Sequence, residues 1–176
     1  GHGILVDSGR ATERSDRVQA GGLYISNGII QDCAGHSVSA GADMENGNYV
    51  YRILLENVDQ FRCALKEGVR KEAACAYLYG ENIEITRNAF GGFTGPGIGE
   101  ATVSGLIVAG RDIKVVQNRF VLNLVYCVRV LELKELSTAD VEINGFSVIG
   151  PNLAHAVVDD SARRRTVSVK NKNYFN

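Results

Sequence analysis

The sequence predicts an all-β fold: a right-handed single-stranded parallel β-helix (β-solenoid) of about six coils, with 26–30 residues per coil. Three observations predict it: a hydrophobic triplet recurs along the chain, a bend-forming residue follows each triplet, and no segment carries a helical pattern. Strands repeating at this spacing without crossover helices stack as coils instead of forming a doubly wound sheet. Right-handed connections are the default between parallel strands, which sets the expected hand.

The recurring triplet is the first element. In each copy both flanking positions are Ile, Leu or Val, whereas the central residue varies freely. The copies are Leu23-Tyr24-Ile25, Ile53-Leu54-Leu55, Ile83-Glu84-Ile85, Ile113-Lys114-Val115, Val141-Glu142-Ile143 and Val167-Ser168-Val169. Their starts are 30, 30, 30, 28 and 26 residues apart. This in–out–in alternation is typical of a β-strand with one buried face.

A bend and a second strand are the next elements. Asparagine follows every triplet within three to five residues of its start, at Asn27, Asn57, Asn88, Asn118, Asn144 and Asn171. Asparagine tolerates left-handed backbone angles, so these positions suit a sharp bend. Seven residues after each start the chain is apolar again, except at Gln60. The pattern therefore predicts a second short strand after each bend.

A third strand is predicted upstream of the triplets. The segments 77–82 and 107–112 hold the same offset from their triplets, and 3–6 resembles 105–108 in sequence. Each coil thus contains about three short strands. The Gly-rich segment 91–99 lacks the order of a nucleotide-binding loop, so we expect it to leave the coil as an ordinary loop.

Two stretches resemble a known family most clearly. They are N-I-x-I-x-x-N-x-F from Asn82 to Phe90 and D-I-x-V-x-x-N-x-F from Asp112 to Phe120. The pattern resembles the right-handed parallel β-helix of the pectin-lyase-like superfamily, a scaffold shared by enzymes, phage tailspikes and adhesins. The resemblance implies a polysaccharide or cell-surface glycan as partner, held in an elongated groove along the stacked strands. It further implies an extracellular or phage-tail location and, by analogy with tailspikes, a homotrimer.

Two functions follow as hypotheses. The first is a β-helix segment of a polysaccharide-binding or polysaccharide-cleaving protein, such as a phage tailspike, a glycoside hydrolase or a polysaccharide lyase. The second is a non-catalytic structural module that extends or trimerises a spike or adhesin. Because six coils are few for this superfamily, we expect residues 1–176 to be a single β-helix domain cut from a longer chain.

Composition excludes other classes of partner. The 19 Lys and Arg residues against 20 Asp and Glu residues give a net charge of −1, which offers no attraction to nucleic acid. No apolar run approaches the roughly 20 residues needed to cross a bilayer, so we expect no membrane insertion.

The central triplet residues supply the first candidate site. In stacked coils they form an outward column in which Glu84 and Glu142 lie two coils apart, roughly 9.6 Å at the backbone. That separation is close to the carboxyl spacing of ~6.5–9.5 Å in inverting glycosidases, which makes the two glutamates a candidate catalytic pair. Lys114 lies between them, so a Glu–Lys–Glu ladder is the alternative. Tyr24 and Lys114 are candidate carbohydrate-binding residues.

A second candidate site lies near the C-terminal end. His155, Asp159 and Asp160 precede three consecutive arginines that begin at Arg163. In a polysaccharide lyase, basic residues neutralise or deprotonate a uronic acid while carboxylates act as acids. We therefore take His155, Asp159 and Asp160 as candidate catalytic residues and Arg163 as a candidate carbohydrate-binding residue. Adjacent charges at a solvated turn are the alternative interpretation.

The cysteine pattern favours buried thiols. Of the four cysteines none forms a C-x-x-C pair, and the three histidines are scattered, so we predict no metal site and no cofactor. Cys33 and Cys63 each lie ten residues after a triplet start and should stack in neighbouring coils. The spacing permits a disulfide, but a reduced, buried stack is the simpler expectation.

Overall fold

The structure is a computed structural model of the 176-residue chain. It describes residues 3–6, 20–41, 50–63, 74–91, 104–121, 126–132, 138–149, 156–163 and 166–175. The candidate residue His155 and the Gly-rich segment from 92 to 99 lie outside the described residues.

The described residues form fourteen β-strands and no helix, which confirms the all-β prediction. The strands are β1 (Ile4–Val6), β2 (Ala20–Gln31), β3 (Val38–Ala40), β4 (Val50–Phe61), β5 (Ala74–Thr86), β6 (Ala89–Gly91), β7 (Ser104–Val116), β8 (Arg119–Val121), β9 (Val128–Val130), β10 (Ala139–Asn144), β11 (Ser147–Ile149), β12 (Val157–Asp159), β13 (Val167–Lys170) and β14 (Asn173–Phe175).

The triplets stack in parallel register, so the fold is a parallel β-solenoid. Ile53 is the register partner of Leu23 and Ile83, and Ile113 is the partner of Ile83 and Val141. We call this side of the molecule the triplet face; it comprises the triplet-bearing parts of β2, β4, β5, β7, β10 and β13. The flanking residues of the four inner triplets are buried, as the in–out–in pattern predicts.

The number of turns is smaller than expected. The solenoid has about four turns, whereas the repeat count predicts six coils. All six triplets lie on the triplet face, but β2 pairs only with β4 and β13 only with β10 among the described strands. Counting triplets therefore includes two end strands that have a neighbouring turn on one side only.

Two further faces close each turn, as the sequence predicts. After the triplet the chain bends into a strand of a second face. On this face β6 pairs with β8, β8 with β11 and β11 with β14. The remaining face carries β3, the first halves of β5 and β7, then β9 and β12. Each turn thus contains three short strands, two of which are continuous in β2, β4, β5 and β7.

Left-handed residues mark the two ends of the triplet strands. The position four residues after each triplet start has positive φ in all six copies: Asn27, Asn57, Arg87, Gln117, Gly145 and Asn171. The position before the triplet has positive φ in five copies: Gly22, Arg52, Asn82, Asp112 and Asp140. The expected bend asparagine is therefore wrong at Asn88 and Asn118, which lie one residue beyond the bend, and at Asn144, which lies one residue before it.

These two asparagines form a ladder inside the solenoid. The Asn118 amide donates to the Ile85 and Val116 carbonyl oxygens, and its Oδ1 accepts from the Asn88 backbone N–H at 2.9 Å. The Asn88 Oδ1 accepts in turn from the Val58 N–H at 2.9 Å. Each side chain satisfies backbone groups that the bend removes from the regular strand pairing, which explains why a polar residue is stable here.

The rest of the core is apolar and tightly stacked. The Phe90 and Phe120 rings stack with centroids 5.2 Å apart, and Phe146 meets Phe120 edge-on at 6.2 Å. At the corner before the triplet face a Cβ on Gly80 would lie 1.8 Å from the Val50 carbonyl oxygen, and one on Gly110 1.7 Å from that of Gly80. Only glycine allows the backbones of successive turns to approach this closely.

Tyr77 and Tyr79 are buried, but they lie outside the main core. Their neighbour Leu78 faces that core, so alternation places both tyrosines on the opposite side of β5. There they form a second buried cluster with Ile107, and the Tyr77 ring stacks on His36 at 5.0 Å.

Candidate functional site

The outward column of the triplet face is the geometric basis of the candidate site. Register pairs Glu84 with Lys114, and Lys114 with Glu142, so the three charged residues lie on successive strands. Tyr24 and Leu54 precede them in the column and Ser168 follows. The column predicted from the repeats therefore exists.

A groove of about 600 Å³ runs along this column, a volume typical of ligand sites. It is lined by four column residues, by three residues at the left-handed position before the triplet, and by neighbours of these: Tyr51, Glu81, Asn82, Ile83, Glu84, Asp112, Lys114, Asp140, Val141, Glu142, Thr166, Ser168 and Lys170. The polar lining comes from side chains that cannot enter the core, because the alternation of the strand directs every second residue outward.

Acidic groups predominate in the groove. Five carboxylates line it, from Glu81, Glu84, Asp112, Asp140 and Glu142, against the two ammonium groups of Lys114 and Lys170. Opposite charges alternate on successive strands of the column, at Glu84, Lys114 and Glu142. The register thus places Lys114 between Glu84 and Glu142, which lie two strands apart, but no ion pair within 4.0 Å joins these three described side chains.

An aromatic segment continues the groove towards the first turn. A cavity of about 290 Å³ is lined by Tyr24 and Arg52 and shares Asn82 and Glu84 with the larger groove. The Tyr24 side chain is 62% exposed and its hydroxyl donates to Glu56 at 3.4 Å. Tyr51 is 40% exposed, and the Arg52 guanidinium lies 6.0 Å from its ring centre. Both rings are therefore open to a ligand.

The second predicted cluster lies elsewhere. Asp159 is on β12, away from the triplet face, and accepts hydrogen bonds from the Ser161 N–H at 3.0 Å and hydroxyl at 2.5 Å. Asp160 accepts from Arg129 Nε at 2.6 Å. Arg163 is exposed at the turn before β13, and its carbonyl accepts from the Thr166 N–H at 2.9 Å. None of these three side chains lines the groove.

Sequence reasoning missed the residues immediately before the triplets. Asn82, Asp112 and Asp140 line the groove and have positive φ. Asn and Asp adopt left-handed backbone angles more readily than other non-glycine residues. Their recurrence directly before three successive triplets was visible in the sequence, so this signal could have located the edge of the groove.

Three of the four cysteines meet inside the first turns. All four thiols are free and buried. The Cys63 thiol donates to the Phe61 carbonyl at 3.3 Å and is hydrogen-bonded to the thiols of Cys75 and Cys33. The hydrogen bond from Cys75 is the main cause that lowers the pKa of Cys63 to about 7, while the same contact and burial raise the pKa of Cys75 well above 9.0. The predicted stack of Cys33 and Cys63 is present and includes a third thiol.

Neither a metal centre nor a membrane-crossing helix is seen in the described ranges. No group of three or more His, Cys, Asp or Glu residues there could hold a metal ion. No helix in that part of the chain is long and apolar enough to span a bilayer.

Comparison of the chain with known families, proteins and structures found no match. The resemblance to the pectin-lyase-like superfamily therefore stays a prediction. Architecture and register identify the chain as a parallel β-solenoid whose triplet face bears a polar groove.

Proposed function

We propose that the chain binds an extended polysaccharide along the groove of the triplet face. The observation that carries the proposal is the periodic polar lining. Glu84, Lys114 and Glu142 present a hydrogen-bonding side chain on each successive strand, about 4.8 Å apart. A ligand that itself repeats can use such an array several times along its length.

The chemistry of the lining fits a hydroxyl-rich ligand. Carboxylates, the Asn82 amide and the Thr166 and Ser168 hydroxyls accept or donate hydrogen bonds to alcohol groups. Tyr24 and Tyr51 add exposed aromatic faces, on which the apolar faces of sugar rings can pack. The excess of carboxylates favours neutral or amine-bearing sugars over uronates, because a uronate would meet like charge.

Binding of the polysaccharide does not require that Glu84 and Glu142 cleave it. The register places Lys114 directly between Glu84 and Glu142, so a lysine separates the two carboxylates of the candidate pair. Hydrolysis by this pair would produce new reducing ends, and Glu84→Gln and Glu142→Gln would each abolish them. Release of reducing ends that persists in both variants would remove the pair from candidacy.

Affinity electrophoresis against neutral, amino-sugar, capsular and pectic polysaccharides tests the binding proposal. We expect retardation by a neutral or amino-sugar polymer and about tenfold weaker binding when both Tyr24 and Tyr51 are changed to alanine. Ile29→Ala is the matched control, since Ile29 is 69% exposed but lies outside the groove. Equal losses in the control and the tyrosine variant, or no retardation by any polymer, would contradict the proposal.

A structural module of a spike or adhesin is the second candidate, and one observation favours it. The first turn presents a large exposed apolar side chain on each of its three faces: Leu5 at 55%, Tyr24 at 62% and Ile29 at 69%. Such exposure is typical of contact surfaces. With further copies of this chain as the partner, light scattering should give the mass of a trimer, and Leu5→Ser with Ile29→Ser should reduce it to a monomer. A monomer at all concentrations would reject this candidate.

A further inference from the structure

We propose that Cys63 and Cys33 form a redox-responsive pair, in which Cys63 is oxidised first by a hydroperoxide and Cys33 then closes an internal disulfide. The site lies inside the first two turns, away from the groove, and is independent of the proposed glycan binding.

Strand geometry places the two residues opposite each other. Gln31 and Phe61 are register partners, and the Asp32 N–H donates to the Phe61 carbonyl at 3.3 Å. The next pair, Asp32 and Arg62, is joined by an ion pair of 2.5 Å. Cys33 and Cys63 follow directly, so their Cα atoms are about one strand spacing apart, roughly 4.8 Å, within the range that a disulfide requires.

The surroundings activate Cys63 specifically. Its thiol is hydrogen-bonded to the thiols of Cys75 and Cys33 and to Ser37. The Ser37 hydroxyl lies within hydrogen-bond distance of both the Gln60 side-chain oxygen and the Cys75 carbonyl, so polar groups surround the sulfur. The Cys75 hydrogen bond stabilises the anionic form and lowers the pKa of Cys63 to about 7. Cys75 is therefore a positioning residue.

The other thiols differ in ways that assign their roles. Burial is the main cause that raises the pKa of Cys33, so Cys33 is the protonated member of the pair until Cys63 has been oxidised. Cys33 is also the most exposed of the four, at 8%, whereas Cys75 and Cys127 are wholly buried. Burial alone raises the pKa of Cys127 to about 12, which leaves it inert.

The chemistry balances without a metal or cofactor. The Cys63 thiolate attacks one oxygen of hydrogen peroxide, which breaks the O–O bond and gives a sulfenic acid and hydroxide. The hydroxide takes the proton of the Cys33 thiol and becomes water. The Cys33 thiolate then attacks the sulfenic sulfur, forms the S–S bond and expels the sulfenic hydroxyl group as hydroxide. Two electrons pass from the two sulfurs to the peroxide.

The test is to treat the reduced full chain with hydrogen peroxide, count thiols after denaturation, and map the disulfide by mass spectrometry of unreduced peptides. We expect loss of two of the four thiols and one linked pair, Cys33 with Cys63. Cys127→Ser is the matched control and should form the same pair. Cys63→Ser and Cys33→Ser should form no internal disulfide.

The pH dependence of the oxidation rate distinguishes an activated Cys63 thiol from one that is only packed against Cys33. The oxidation rate of the native chain should rise with a midpoint near pH 7. Cys75→Ala should shift that midpoint upward, and Cys75→Ser, which keeps a hydroxyl donor, should restore it in part. A linked pair that contains Cys75 or Cys127, equal loss of all four thiols, or a midpoint unmoved by Cys75→Ala would overturn the proposal. Mapping of the native chain decides the pairing even if a variant fails to fold.

Discussion

The interior of the solenoid differs between its first turns and its middle. In the middle, Asn88, Asn118, Phe90 and Phe120 occupy the inward positions after the bend, and their hydrogen bonds and ring contacts run from turn to turn. In the second turn the equivalent positions hold Val58 and Gln60. Gln60 is wholly buried, and its Nε2 has no hydrogen-bond partner among the described residues.

The difference shows how one coil position serves two purposes. In the middle, identical side chains stack on themselves, which satisfies each polar group and fills the core. In the first turns, the Gln60 amide and the Ser37 hydroxyl make the interior polar, and the thiols of Cys33, Cys63 and Cys75 lie close to them. The middle is therefore built for stability and the first turns for reactivity, and four substitutions or conditions test this contrast.

Phe120→Ala should have the largest effect. It removes the ring that contacts both Phe90 and Phe146 at the centre of the stack. We expect a loss of about 3–5 kcal/mol in the free energy of unfolding, measured by urea denaturation. The exposed control Ile29→Ala should change it by less than about 0.5 kcal/mol. Similar values for the two variants would show that the stack does not dominate stability.

Asn118→Ala should have the next largest effect on the free energy of unfolding. It leaves the Asn88 N–H and the Ile85 carbonyl without their partners inside the solenoid. We expect a loss of about 1–3 kcal/mol in urea. Asn57→Gly is the matched control, because it removes an exposed hydrogen bond to Asn27 but keeps the left-handed backbone. It should lose only a few tenths of the unfolding free energy that Asn118→Ala loses. A costlier control would contradict the role of the interior ladder.

Gln60→Met should have a small effect of opposite sign. It replaces a buried amide that has an unpartnered nitrogen by a side chain of similar length without polar hydrogens. Ser37 keeps its 2.8 Å hydrogen bond to the Cys75 carbonyl. We expect stability to be unchanged or raised by up to about 1 kcal/mol. Marked destabilisation in urea would show that the amide is needed and that the second turn is as well satisfied as the middle.

The pH dependence contributed by Cys63 should be the smallest effect. Its pKa of about 7 in the folded chain lies below the ordinary value of 9.0, so between pH 7 and 9 the unfolded chain binds more protons than the folded chain. Stability from this group therefore rises with pH across that window. Above pH 9 the trend reverses, since the raised pKa values of Cys75 and Cys127 favour the protonated folded chain.

Unfolding in urea at several pH values, under reducing conditions, measures this contribution. The difference in unfolding free energy between the native chain and Cys63→Ser should grow from pH 7 to pH 9. Cys127→Ser should show no such growth in this window. A native-minus-Cys63→Ser difference independent of pH would count against an ionised Cys63.

The candidate groove was predictable in part. The triplet repeats were enough to place Glu84, Lys114 and Glu142 in one column, because residues at equal offsets in parallel strands become neighbours. Asp112 and Asp140 were missed, although their positions recur before the triplets. The separation of Asp159 from Glu142 could not be predicted, since it depends on which face of the turn each strand occupies.

The sequence by itself determined the strands, their parallel stacking and the outward column. Both the alternation of side chains along a strand and the near-constant repeat length can be read directly from the order of the residues. Only the tertiary structure decided that Asn118 points inward while Gln117 takes the bend, since a shift of one residue at a corner reverses the face of the side chain. It also decided that Cys75 joins Cys63, because the two residues lie on different faces of the turn and at different positions of the repeat.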